Sequence, residues 1–222
     1  MNSPQGSDEW RLERVGKVGA SRVPDILAKT KTGWAASRAN YANELFAERL
    51  TGVPLDRPFD TAAMRWGRET EAQARAIYTF ERDVEVAEVG FVLHPRIANA
   101  GASPDGLIGN DETGGVLEIK CLTTPNHLEV LEKRTVPTRF LQQMYWQGAC
   151  TERKWGHFVC FDPRLEESLQ LFVQRVDFDP AVIVAMEREV ASFLAEIDER
   201  VARLRRFTRG EIAAWSTMEQ VG

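Results

Sequence analysis

Apolar residues between positions 38 and 50 fall at Tyr41, Leu45, Phe46 and Leu50, a spacing that puts them on one face of an α-helix. Ser37 ahead of them offers a start cap and Gly52 behind them a stop, so a helix is predicted over residues 38–50. A stronger helical pattern runs over residues 61–82, where Met64, Ala72, Ala76, Ile77 and Phe80 recur at helical spacing and Glu71 falls near the middle. From Val84 the texture changes to short extended runs at 90–94, 105–108 and 116–121, separated by glycine-rich turns, of which 110–115 reads as a hairpin. Helical spacing returns at 125–134 and 137–151. Two more strands follow at 155–161 and 168–176, then a long helix at 179–206. Residues 207–222 show no clear period and are expected to form a tail. The order predicts an α/β (α+β mixed) fold, a central mixed β-sheet flanked by helices, in a single domain over residues 1–222.

Composition narrows this only slightly. With 43% hydrophobic and 27% charged residues among 222, the chain can build one sizeable core. No apolar run approaches the roughly 18 residues of a membrane span, and the polar start Met1 to Asp8 lacks the apolar core of a secretion signal, so a cytoplasmic protein is expected. Cys121, Cys150 and Cys160 are scattered, which predicts buried thiols and no disulfide or zinc framework; His94, His127 and His157 stand alone and read as structural. The net charge of −5 argues against a protein that coats nucleic acid by charge alone. Residues 11–38 nevertheless hold seven basic side chains (Arg11, Arg14, Lys17, Arg22, Lys29, Lys31, Arg38) against Glu13 and Asp25, so phosphate contacts are expected to draw on that stretch.

The chemistry is concentrated in the strand at 116–121. Side chains alternate along a strand, so Glu118 and Lys120 share a face of an otherwise apolar segment, which is costly unless they pair or bind an ion. A Glu-x-Lys triplet alone reads far more readily as a surface pair on a hairpin. Gly101 to Gly106 changes the picture, because its turn residues hold Asp105 at the start of the preceding strand, one hairpin away from Glu118. Two carboxylates and the Ile119 carbonyl would form a hard-oxygen site suited to Mg²⁺ or Mn²⁺, with Lys120 beside the attacking water. That arrangement fits phosphodiester hydrolysis.

These residues, with Trp10 to Arg14, Gly19-Ala20-Ser21, Trp66 to Glu71, Ser103 to Gly106, Leu117 to Lys120 and Phe161 to Arg164 in order, make the sequence resemble the lambda-exonuclease-like (YqaJ) alkaline exonucleases of phages and prophages, within the PD-(D/E)xK nuclease superfamily. The resemblance covers about three quarters of the chain. It implies a restriction-endonuclease-like core and catalytic roles for Glu71, Asp105, Glu118 and Lys120, with Glu71 as a further acidic residue beside the metals. It also implies a 5′-phosphate pocket at Arg14, Ser21 and Ser103, and places Gln142 near the active site as a contact to DNA or to the water network there. Gly19 stands where a hydroxyl residue is expected, which leaves the strictness of 5′-phosphate dependence open. The implied activity is Mg²⁺-dependent 5′-to-3′ digestion of one strand of linear double-stranded DNA to 5′ mononucleotides, leaving a 3′ tail for recombination. The implied partners are two further copies in a homotrimeric ring and a single-strand annealing protein. A PD-(D/E)xK endonuclease and a non-cleaving DNA-binding recombination scaffold are the alternatives.

Overall fold

The structure, a computed structural model, describes residues 3–55, 62–109 and 113–219, with side chains at 63–64 and 208–219 left aside. In chain order it comprises α1 (Asp8–Glu13), β1 (Val18–Gly19), a 3₁₀ turn (Ala20–Arg22), α2 (Val23–Leu27), β2 (Lys29–Thr30), β3 (Gly33–Trp34), α3 (Ala36–Thr51), α4 (Ala62–Arg82), β4 (Val86–Ala87), β5 (Val92–Leu93), β6 (Ala100–Ala102), β7 (Gly106–Ile108), β8 (Gly115–Lys120), α5 (Thr124–Lys133), α6 (Thr138–Thr151), β9 (Trp155–Phe161), α7 (Glu167–Gln170), β10 (Leu171–Asp177) and α8 (Pro180–Glu219). The main sheet has the order β10-β9-β8-β7-β4 and is mixed, with β8 parallel to β9 and the other neighbours antiparallel. A smaller sheet, β1-β6-β5, lies beside it. The expected mixed sheet flanked by helices is present.

β8 is buried along nearly its whole length because helices cover both faces. Val116 packs with Phe140 and Met144 of α6, while Leu117 and Ile119 pack with Ala74 and Tyr78 of α4. A second core joins β1 and β6 to α2, α3, α6 and α8 around Ile26, Tyr41, Trp146 and Phe193. Arg38, buried on α3, grips Glu196 of α8 through two 2.7 Å hydrogen bonds.

Several expected details differ. The α3 start lies at Ala36, so Ser37 is inside the helix and its hydroxyl sits 3.5 Å from the Asp25 carbonyl; Gly52, at φ 72°, does end the helix in the left-handed region that glycine adopts without strain. On α4 the buried stripe is Thr70, Ala74 and Tyr78, whereas Phe80 is 88% exposed. Several small and apolar residues on this helix permit more than one apolar stripe, and packing against β8 selects the one carrying Tyr78, whose hydroxyl lies 2.7 Å from His157 Nδ1. The segment expected as a strand from Ser168 begins as the short α7 and becomes extended only at Leu171. α8 continues past Arg206 to Glu219, through what reads in the sequence as an aperiodic tail. Residues 110–112 of the expected turn at 110–115 lie outside the described residues, and Gly115 already opens β8.

Candidate active site

Asp105 sits just before β7, and the ladder brings it to the key strand. Its own N–H donates to the Leu117 carbonyl at 3.0 Å, and the Ile119 N–H donates to Asp105 Oδ2 at 2.6 Å, which sets this carboxylate beside Glu118. Gly106 makes the approach of β4 possible, since a Cβ there would lie 2.3 Å from Val86 Cγ1. Glu118 is fully buried: Oε1 forms an ion pair with the Lys120 ammonium, and Oε2 accepts a hydrogen bond from Gln147 Nε2 on α6. Glu71 reaches the cluster from α4 and pairs with Arg75 at 2.7 Å, Arg75 also holding Glu88 at 2.9 Å. Glu71 is therefore a salt-bridged helix carboxylate that also lies within the field of Asp105 and Lys120.

Burial and mutual repulsion dominate the electrostatics here. Burial pushes Glu118 up to about 7 against the pull of Lys120, with the Asp105 charge adding to the rise. Burial and then Asp105 push Glu71 up to about 7, Arg75 and Lys120 opposing. Burial also raises Asp105, while Lys120 and the Ile119 N–H hold it back. Lys120 moves the other way: burial disfavours its charge, but the Glu118 and Asp105 carboxylates outweigh that and keep it protonated. Crowded carboxylates that take up protons near neutrality also take up cations there.

Among the described residues no three His, Cys, Asp or Glu side chains converge closely enough to hold an ion unaided. Asp105 and Glu118 are adjacent, and Glu118 Oε1 is buried without a well-directed hydrogen bond, so it keeps acceptor capacity. In an extended strand a residue's N–H and C=O leave on the same edge, so the Ile119 carbonyl faces the Asp105 side. Two carboxylates supplemented by main-chain oxygen and water fit a hard divalent cation such as Mg²⁺.

A cavity of about 150 Å³ lies alongside, lined by Trp10, Arg14, Gly19, Ser21, Ser103 and Gln143 among others. The fold thus collects the three expected phosphate ligands from α1's end, the 3₁₀ turn and the loop leading to Asp105. The Arg14 guanidinium lies 4.0 Å over the Trp10 ring, and Trp10 Nε1 donates to Ser103 Oγ at 2.9 Å. Arg14 Nη2 stands only 3.4 Å from where a Gly19 Cβ would be, so the missing side chain there leaves room beside the guanidinium. Ser103 precedes Asp105 by two residues, and Gln143 precedes Gln147 by one helical turn, about 6 Å along α6. Pocket and carboxylates are neighbours.

Gln142 is elsewhere. It lines a different, largely apolar hollow with Leu27, Val182 and Met186, because one residue along a helix is a rotation of about 100°. Gln143 and Gln147 are the α6 glutamines on the site side. Gln147 is missing from the sequence expectations, although its spacing of four from Gln143 is a signal that both face one way. The basic stretch also disperses: Arg22 is held by Asp25 and Glu44, Arg38 by Glu196 and Arg11 by Asp8, leaving Arg14 as its contribution to the cavity. All three thiols are free as expected, but Cys121 is only half-buried; burial, then Glu71 and Asp105, push its thiol up to about 12.

A family model described as the YqaJ-like viral recombinase domain matches residues 9–154. The solved structure of LHK-Exo, described as an alkaline exonuclease from Laribacter hongkongensis, is 43% identical, with a TM-score of 0.85 over 92% of this chain and 99% of that one. The same protein in complex with dAMP matches equally well. A phage related exonuclease from Haemophilus somnus 129PT, at 13% identity and a TM-score of 0.64 over 85% of this chain and 96% of its own, shares the fold. No curated protein sequence matches the chain.

Proposed function

The chain belongs to the YqaJ-like viral recombinase domain family, and on that premise we propose that it is a Mg²⁺-dependent exonuclease that digests one strand of linear double-stranded DNA from its 5′ end, releasing 5′ mononucleotides and leaving a 3′ single-stranded tail for recombination. The observation that carries this reading is the adjacency of the Asp105, Glu118 and Lys120 cluster to the cavity holding Arg14, Ser21 and Ser103. A terminal phosphate held by those three puts the first internucleotide linkage of its strand within reach of the carboxylates. LHK-Exo, solved with a mononucleotide, lends support from the product side.

In this reading Asp105, Glu118 and the Ile119 carbonyl, with Glu71 nearby, would hold the ion, which supplies positive charge to the phosphoryl oxygens and acidity to water. Arg14 grips the terminal phosphate through its planar guanidinium, steadied by the Trp10 ring, while Ser21 and Ser103 offer hydroxyls. Lys120 holds the attacking water and offsets charge developing on the phosphate; the water oxygen bonds to phosphorus as the 3′ oxygen leaves. Gln147 fixes the Glu118 carboxylate. A homotrimeric ring enclosing the duplex, and delivery of the 3′ strand to a single-strand annealing protein, complete the proposal. No helix of the described residues is long and apolar enough to cross a membrane, and the expected cytoplasmic location stays part of the proposal.

The test is digestion of linear duplexes labelled separately at the 5′ and 3′ ends, with closed circular DNA alongside. Mononucleotide release from 5′ ends, intact circles and loss of activity in Glu118→Gln support the reading. Equal cutting of circles would show an endonuclease, and inactivity in both Mg²⁺ and Mn²⁺ a non-cleaving scaffold.

A further inference from the structure

β9 ends in Phe161, and the next residues, Asp162-Pro163-Arg164, build a fixed cation that the mechanism above does not use. The Asp162 carboxylate is fully buried and accepts four hydrogen bonds: from Arg164 Nε at 2.7 Å, Arg164 Nη2 at 2.9 Å, the Arg164 N–H at 3.0 Å and Thr124 Oγ1 at 2.7 Å. Burial works against its charge, but these bonds prevail and hold it down to about 2, so it is ionised wherever the protein functions. Arg164 Nη2 also donates to the Leu122 carbonyl at 3.1 Å, and its guanidinium lies 4.5 Å over the Trp66 ring. The side chain is nonetheless 45% exposed, and Nη1 has no protein partner among the described residues. An arginine placed only to neutralise Asp162 would not need a carbonyl and an aromatic face to fix its plane.

Its location is specific. Leu122 follows Lys120 by two residues, Lys120 pairs with Cys160 on β9, and Trp66 stands five residues before Glu71 on α4, about 7.5 Å of helix rise. Arg164 is thus anchored to the segment that follows β8 and to the helix that carries Glu71, which sets it at the rim of the acidic cluster. A polyanionic strand entering a cluster of carboxylates is repelled, and a pre-oriented guanidinium at the rim offsets that repulsion.

We infer that Arg164 grips a backbone phosphate of the DNA strand as it passes the acidic cluster, with Asp162, Thr124, Leu122 and Trp66 as its mount. The inference rests on the nuclease reading, but its test does not need cleavage. Binding of a linear 5′-phosphorylated duplex is measured in EDTA across NaCl from about 50 to 200 mM for wild type, Arg164→Gln and Arg164→Lys. Loss of one phosphate contact lowers the slope of log K against log salt by about 0.9 and weakens binding about tenfold, whereas Arg164→Lys keeps the slope and recovers part of the affinity. A wild-type slope in Arg164→Gln, with the change confined to Tm, overturns the inference. Should that variant fail to fold, duplexes carrying single methylphosphonates near the 5′ end are compared on wild type and Arg164→Lys. One position must weaken wild-type binding more than Arg164→Lys binding, and identical profiles overturn the inference. If wild-type protein binds duplex but releases no nucleotides, the nuclease reading fails while the slope still reports on Arg164.

Discussion

Lys120→Met removes the ammonium of the acidic cluster while keeping most of the aliphatic stem, so its effect reads charge more than packing. Glu118 and Glu71 are already pushed up to about 7 with Lys120 in place. Each holds its proton to a higher pH folded than unfolded, where it titrates near 4.5, so the folded state binds more protons in that window and stability falls as pH rises through it. Without Lys120, which opposes both shifts, the carboxyls rise further and the window extends upward. Removing one partner of a buried ion pair costs about 3–5 kcal/mol, which at about 2–4 °C per kcal/mol for a chain of this size is about 6–20 °C in Tm. That deficit is expected in EDTA at about pH 8, and most of it vanishes at about pH 5, where the carboxyls are neutral. Mg²⁺ at about a hundred times its dissociation constant returns about 2.7 kcal/mol, or about 5–11 °C. Thermal melts of both proteins at the two pH values, with and without Mg²⁺, provide the measurement. A Tm loss equal at both pH values, or none at the higher one, refutes the account of Lys120 as the cluster's counter-charge.

Arg14→Ala should slow digestion of 5′-phosphorylated ends roughly ten- to a hundredfold, the worth of a charged hydrogen bond, and 5′-hydroxyl ends far less; equal slowing on both in end-labelled assays would take Arg14 out of phosphate recognition. Gln147→Met should weaken Mg²⁺ affinity about tenfold or more by freeing Glu118, read as the Mg²⁺ concentration for half-maximal activity, and an unchanged value would limit Gln147 to packing. Gly101→Ala should lower stability by about 1–3 kcal/mol, since its Cβ would lie 2.5 Å from Phe91 Cζ and 2.6 Å from the Val92 carbonyl oxygen; a Tm within about 1 °C of wild type would show that β5 yields freely.

Local periodicity and turn chemistry were sufficient for the long elements. Residues 155–161 were legible as a strand to the residue, and Glu118 and Lys120 as a pair on one face, because alternation is set by backbone geometry alone. Asp105 was legible because a short turn constrains what can pair across it, and the ladder joins it to Ile119. The sequence could not choose the buried stripe of α4, since several of its faces carry apolar or small residues and only contact with β8 selects Thr70, Ala74 and Tyr78. Short pieces such as β1 and the turn at Ala20–Arg22 span too few residues to show a period, yet they carry Gly19 and Ser21 into the cavity. Long-range partners were equally invisible: Arg22 and Arg38 read as available cations until Glu44 and Glu196 took them. What the sequence determined by itself was the chemistry of β8 and the residue types around it, because these follow from neighbours along the chain. The tertiary structure decided that Gln147 and not Gln142 meets Glu118, and that Arg14, Ser21 and Ser103 share one cavity, because those contacts depend on how whole helices rotate and dock against the sheet.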